Sequence, residues 1–264
     1  MENIKILREK TGAGMVDCKK ALDEAGGNIE MAAEILRKKG IAKAAKRGER
    51  DATEGIVKLA VNEAGNEGYI LEVNSETDFV ARNEKFQKFT DDLLSLLIAN
   101  KPENLEALLN LEYAESNVND ALGHLSGTIG EKISVSRFAI VKGETVASYS
   151  HMGGRIGVLV ALDKADKKDL AYDIAMQAAA SNPRYLESSE VPAEELEKEK
   201  EIYREQLKNE GKPAEIVEKI LVGKVNKYYE DVCLLNQEYI KDDKKKVKDI
   251  LGDVKIEKFV RFSL

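Results

Sequence analysis

Apolar side chains recur at helical spacing over the first forty residues and then change rhythm. Ile4 and Leu7 mark one segment, Ala21 and Leu22 a second, and Ile29, Ala32, Ala33, Ile35 and Leu36 a third. Thr11-Gly12-Ala13-Gly14 and Gly26-Gly27 break the segments. Asn28 is placed to cap the third helix and Gly40 to close it. The spacing predicts a three-helix unit near the lower size limit, about 40 residues, for an independent core. A unit that small usually docks rather than catalyses. Residues 41–53 follow as a charged, alanine-rich connector.

From Glu54 the period falls to two. Ile56–Val61 and Tyr69–Val73 read as paired strands across a glycine-containing loop. Glu84–Asn100 is a strong helix with Phe86, Phe89, Leu93, Leu96 and Leu97 on one face, and further helices are expected over Leu105–Asn110 and Val118–Ile129. Val135–Val141, Val146–Ser150 and Ile156–Leu162 are strands, and Lys168–Ser181 is a helix that Asn182-Pro183 ends. A charged antiparallel helical hairpin occupies about 188–230. Pro192 starts it, Leu196, Tyr203 and Leu207 stripe its first arm, and Gly211-Lys212-Pro213 turns the chain. Ile216, Ile220, Val225, Tyr228 and Val232 stripe the return. A short helix at Val247–Leu251 and an alternating strand at Val254–Phe262 finish the chain.

Gly55 through Asn74 aligns with Glu144 through Asp163 at an offset of 89 residues, and a helix follows both. The expected class is therefore α+β: an N-terminal three-helix unit, a duplicated α+β core with small antiparallel sheets, and an inserted helical hairpin. The expected units are residues 1–53, 54–141 and 142–264, the last carrying the hairpin.

The two halves differ at one corner. The second has the polar Lys164-Ala165-Asp166-Lys167-Lys168. The first has Thr77-Asp78-Phe79-Val80, which sets a phenylalanine where turn chemistry favours Gly, Asn or Ser. Such a ring either plugs its own core or reaches a partner.

Composition narrows the function classes. The 264 residues are 43% apolar, 34% charged and 6% aromatic, and carry a net charge of −7. Nucleic acid is not the expected partner, although a local basic patch is left open. Cys18 and Cys233 are far apart and read as free thiols of a reducing cytoplasm. No signal peptide or membrane span is read. His124 sits on an expected helix and His151 in a turn, neither within a metal-ligand cluster. No phosphate cradle, nucleophile elbow or catalytic set is present in the sequence, so no cofactor is expected and a binding protein is favoured over an enzyme. A carboxylate-based enzyme and a non-catalytic scaffold using the three-helix module are the rival readings.

Three blocks carry a resemblance: Leu7 to Leu22, Glu72 to Arg82, and Tyr149 to Leu159. Together they resemble the translation elongation factor Ts family, the guanine-nucleotide exchange factors of elongation factor Tu. The resemblance implies a ubiquitin-associated-like N-terminal domain, a duplicated core and a coiled-coil hairpin. It implies that the partner is elongation factor Tu bound to GDP, and that Thr77, Asp78, Phe79 and Val80 displace its Mg²⁺ so that GDP leaves and GTP can rebind. Met15, Val16 and Lys20 would touch the partner's nucleotide domain, Ile129 and Gly130 match core contacts, and His151 faces the partner's other domains. Ile240 lies in a C-terminal contact segment, where Lys241 replaces a usual apolar residue. Longer relatives continue past the position of Leu264 into a helical module, and some relatives form dimers through the hairpin.

Overall fold

The structure is a computed structural model that describes residues 2–11, 13–45 and 47–264; the side chains of residues 41–45, 214 and 215 lie outside the description. Helices α1 (Glu2–Thr11), α2 (Met15–Glu24) and α3 (Ile29–Ala45) close around Leu7, Cys18, Ala21, Leu22, Ala25 and Ala32. Asn28 caps α3 by accepting from the Met31 N–H at 3.0 Å.

Strands β1 (Glu54–Val61) and β2 (Glu67–Ser75) form the expected hairpin. A single turn, α4 (Asp78–Ala81), leads into α5 (Glu84–Asn100), α6 (Leu105–Leu109) and a small ribbon, β3 (Glu112–Tyr113) with β4 (Ser116–Asn117). Helix α7 (Val118–Ile129) and strand β5 (Ile133–Lys142) complete this part, with sheet order β1-β2-β5, all antiparallel. Phe86, Phe89, Leu93, Leu97, Leu122 and Leu125 pack from the helices onto Tyr69, Leu71 and Val73.

Strands β6 (Thr145–His151) and β7 (Ile156–Leu162) precede α8 (Lys168–Ser181). The hairpin helices α9 (Ala193–Asn209) and α10 (Ala214–Val232) follow. A ribbon, β8 (Glu238–Tyr239) with β9 (Asp242–Lys246), the short α11 (Val247–Leu251) and β10 (Ile256–Ser263) end the chain, and the second sheet runs β10-β7-β6. Its helix-facing side buries Val158, Val160, Leu162, Ile174 and Ala178.

The other faces of the two sheets meet. Val57, Ile70 and Val141 from the first pack with Val146, Leu159, Ala161 and Phe262 from the second. The architecture is thus helices, sheet, sheet, helices. Strand β2 is covered on both faces, so every one of its residues is buried and its sequence reads as a near-continuous apolar run. Gly68 and Gly157 permit the close approach: a Cβ would stand 2.7 Å from Val146 Cγ1 at the first and 2.5 Å from Val57 Cγ1 at the second.

Gly40 corrects an expectation. It does not close α3, which continues to Ala45. Instead α3 crosses α7 at Gly127, where a Cβ would lie 2.6 Å from Gly40 Cα. The crossing explains the residue: a glycine seen as a stop signal serves a backbone-to-backbone contact. Arg47 reinforces it by donating to the Ser126 carbonyl at 3.1 Å.

In the hairpin, α9 packs on α10. Of the stripe expected on α10, Tyr228 and Val232 are buried and Ile220 and Val225 half-buried; Ile216 is exposed, and Leu221 is buried in addition. Glu195 clamps the root. It accepts from Tyr185 Oη at 2.6 Å and from Tyr228 Oη, and pairs with Arg184 at 2.9 Å. The Tyr185 hydroxyl, followed by that of Tyr228, holds the Glu195 carboxyl below the usual carboxylate range. A depressed folded-state pKa stabilises the fold above the unfolded value, about 4.3, and that contribution is lost as pH falls through the folded value. Protection against hydrogen exchange at the hairpin root, relative to the intrinsic rate, is expected to fall on acidification below that range. Glu195→Gln should show the lower protection already at pH 7, and equal protection for the two proteins at pH 7 would contradict the clamp.

Candidate functional site

The corner after β2 is built to hold a ring outward. Thr77 caps α4, its Oγ1 accepting from the Val80 N–H at 3.4 Å. Val80 and Ala81 are buried and anchor the turn, while Phe79 stands 81% exposed. The core-plug alternative is therefore excluded. Asp78 pairs with Arg82 at 3.1 Å on the surface. An exposed pair of that kind is worth about 0–1 kcal/mol, so Asp78 is readily released to another partner.

Glu131 fixes the corner from below. Its carboxylate accepts from the Thr77 N–H at 3.0 Å and from Thr77 Oγ1 at 2.8 Å. Next to it, the Lys132 N–H donates to Glu76 at 2.6 Å. These bonds bring Ile129 and Gly130, at the end of α7, beside the phenylalanine corner. Ile129 is half-buried and Gly130 exposed at the helix C-cap with φ 93°. Glu131→Ala should speed hydrogen exchange of the Val80 and Ala81 amides about tenfold or more, since charged hydrogen bonds of roughly 1.5–3 kcal/mol are removed; unchanged protection would show that the corner holds itself.

The second half joins the same rim. The Val57 N–H donates to the Gly154 carbonyl at 2.7 Å, docking the turn that begins at His151 onto β1. Arg155 bonds Glu54 at the start of that strand, and the bond with Glu54 raises the guanidinium pKa, with Asp78 near enough to add to it. Met152, at φ 51°, projects from the turn and is mostly exposed. His151 stacks on Tyr149 with ring centres 5.9 Å apart, and Tyr149 meets Tyr172 of α8 edge-on at 5.5 Å. One residue further on, Asp173 accepts from Tyr239 Oη at 2.9 Å and Lys241 Nζ at 2.6 Å. Ile240, exposed between them, donates its N–H to Gln177 of α8 at 2.8 Å. Ile240 is thus bonded to α8 directly, and His151 is linked to the same helix through Tyr149. Lys241 serves to hold the segment rather than to present an apolar surface.

Met15 and Val16 are 61% and 66% exposed on the first turn of α2, with Lys20 exposed one turn on. A small cleft of about 120 Å³ joins Lys20 to Gly127 and Thr128 of α7, and Thr128 precedes Ile129. The Thr77–Glu131 bonds tie the Phe79 corner to the end of α7 beside Ile129, and the turn after His151 is bonded to β1; Met15, Val16 and Lys20 belong to the three-helix unit that meets α7 at the α3–α7 crossing.

Glu131, Arg155, Tyr149, Met152 and Tyr172 were not singled out from the sequence. Tyr172 carried a signal, as a large ring on an alanine-rich helix. Glu131 and Arg155 carried none, because their roles depend on partners 54 and 101 residues away.

Among the described residues no group of three or more His, Cys, Asp or Glu side chains could hold a metal ion. Burial pushes the Cys233 thiol up to about 11, so it stays protonated. Among the described residues no helix is long and apolar enough to cross a membrane. The arrangement suits protein contact: separated apolar side chains on a stiff frame, with releasable surface charges between them.

The family model described as Elongation factor TS matches residues 76–264, which include the phenylalanine corner, Ile129, Gly130, His151 and Ile240. Elongation factor Ts of Chlorobium phaeobacteroides (strain BS1) is 44% identical over 278 aligned positions, covering 99% of this chain and 96% of that protein. Elongation factor Ts of Prosthecochloris aestuarii is 44% identical over 280 positions, and that of Chlorobaculum parvum 46% over 280, each covering 100% of this chain and 97% of the relative.

Proposed function

The chain belongs to the elongation factor Ts family, and from that premise we propose that it binds elongation factor Tu carrying GDP, displaces the partner's Mg²⁺ and speeds GDP release so that GTP can rebind. It acts by binding and is not itself an enzyme. The single observation that carries the reading is Phe79, exposed on a turn that Thr77 caps and Glu131 pins.

An exchange factor needs no base or nucleophile. It must bind the nucleotide-free partner better than the nucleotide-bound one, and by linkage the factor and the nucleotide then weaken each other equally. A 10⁴-fold faster release requires roughly 5.5 kcal/mol at the transition state. Burying one phenylalanine supplies about 1.5–3 kcal/mol. The remainder falls to the other surfaces: Met15, Val16 and Lys20 on the nucleotide domain, Ile129 and Gly130 beside the wedge, and His151 with Ile240 on the other domains. In this reading Phe79 enters an apolar slot opened when a segment near the Mg²⁺ site shifts, and Asp78 exchanges Arg82 for polar groups of that segment.

We read α1–α3 as the ubiquitin-associated-like domain of residues 1–53, and residues 54–141 and 142–264 as a duplicated core. The strand register supports the duplication: Ile56 faces Val73, and the residues 89 further on, Thr145 and Leu162, also face each other. The hairpin at about 188–230 is offered to a second copy of the chain, and the protein's place is the cytoplasm, with neither membrane nor nucleic acid as its partner.

The test is release of a fluorescent GDP from elongation factor Tu with and without this chain. Concentration-dependent acceleration is expected. Tight binding without acceleration would leave only a scaffold, and would overturn the proposal.

A further inference from the structure

A cleft of about 550 Å³ opens where α1, α3, α5 and α7 meet, away from the phenylalanine corner. Phe89, Leu125 and Tyr113 give it an apolar floor, with the Tyr113 ring edge-on to Phe89 at 5.5 Å. Its rim is basic: Lys10 on α1, Arg37 on α3, and Lys85 and Lys88 three residues apart on one face of α5. Lys10 is occupied by Glu30 at 2.5 Å. Among the described residues, Arg37, Lys85 and Lys88 have no carboxylate within ion-pair distance; Arg37 reaches Glu34 of its own helix only through space. Two carboxylates, Glu115 and Asp120, line the cleft without pairing to these cations. On a chain of net charge −7, three unpaired cations converging on one concavity from two helices is a focused positive field.

His124 of α7 lines the same cleft and senses that field. Burial pushes its pKa down, and Arg37 and Lys85 push it further. On its other side lies the small cleft shared with Asp17, Lys20 and Lys39.

We propose that this cleft binds a compact phosphate-bearing anion, an oligophosphate taken up either free or as the tail of a nucleotide. A guanidinium fork matches phosphate oxygens in pairs, and the two lysines of α5 lining the same cleft supply point charges. The cations line a single cleft instead of tracking a long groove, which favours a compact anion over an extended strand. The site is independent of the exchange reading, since none of its residues belongs to the exchange surface.

The chain has only two histidines, so ring NMR signals report directly. Tripolyphosphate titrated into the full chain should shift His124 to saturation and raise its titration midpoint by about one unit, as a bound anion offsets Arg37 and Lys85. Exposed His151 serves as the control and should not respond. Arg37→Gln with Lys85→Gln, and separately Lys88→Gln at an exposed position, should weaken the response about tenfold and several-fold respectively. ATP saturating at the tripolyphosphate concentration indicates recognition of the tail alone, and tighter ATP binding adds the nucleoside. Parallel shifts of both histidines, or a response reproduced by sodium chloride at matched ionic strength, overturn the proposal. So does an RNA oligonucleotide that saturates the response at lower concentration than either oligophosphate.

Discussion

Phe79→Ala should slow stimulated GDP release by about 10- to 100-fold, with the fold intact. The ring contributes about 1.5–3 kcal/mol when buried by a partner, and each 1.36 kcal/mol is tenfold in rate. Removing it costs the free chain almost nothing, because the side chain is 81% exposed and makes no core contact. The melting temperature should therefore stay within about one degree, which separates loss of the wedge from loss of structure. Where the loss falls is informative. A lower maximal rate at saturating factor places the contact in the transition state for release. An unchanged maximal rate with weaker binding places it in the ground-state complex. Wild-type release by the alanine variant, in both respects, would sink the wedge.

Gly127→Ala and Gly40→Ala should differ although both replace a glycine within a helix by the best helix former. At Gly127 a methyl group would lie 2.6 Å from Gly40 Cα and 2.9 Å from its carbonyl oxygen, so backbone must move. At Gly40 the nearest atom is 3.8 Å away, an ordinary contact. Helix propensity favours both substitutions by about 1 kcal/mol. Overpacking opposes it only at Gly127, by about 1–3 kcal/mol. Gly40→Ala should leave stability unchanged or raise it. Gly127→Ala should lift α3 from α7, loosen α1–α3 from the rest and speed proteolysis between residues 41 and 53. Partner affinity should fall with it, because Met15, Val16 and Lys20 lose their placement. The α1–α3 helices keep their own core around Leu7, Cys18 and Ala21, so the expected outcome is separation rather than unfolding. Identical behaviour of the two variants, by calorimetry and proteolysis, would refute the crossing.

Those glycines also show what could be read along the chain and what could not. Helices α5, α7 and α8 were legible to the residue, because each carries a sustained apolar period and α8 also has a plain stop in Asn182-Pro183; in the structure Lys101, Gly130 and Asn182 end them in the left-handed region. The strands of both sheets were legible through alternation, or through the unbroken apolar run of β2. The ribbons β3-β4 and β8-β9 were not, since most of their strands are only two residues long and none is long enough to carry a clear period. Gly40 was misread because stopping a helix and admitting a neighbouring backbone use the same property, the missing Cβ. Phe79 was legible as an anomaly, a ring where a turn should be polar. The support beneath it was not, because Glu131 acts through a bond that only the tertiary fold creates.

A wedge delivers force only if its handle does not yield. The handle here is the seam between the two sheets, where side chains of the facing sheet pack directly onto the bare backbone of Gly68 and Gly157. Thrust at the phenylalanine therefore has a backstop at the histidine turn, bonded across the seam to the strand beneath. In the proposed exchange, a partner levered at one end would be braced at the other by the same solid piece.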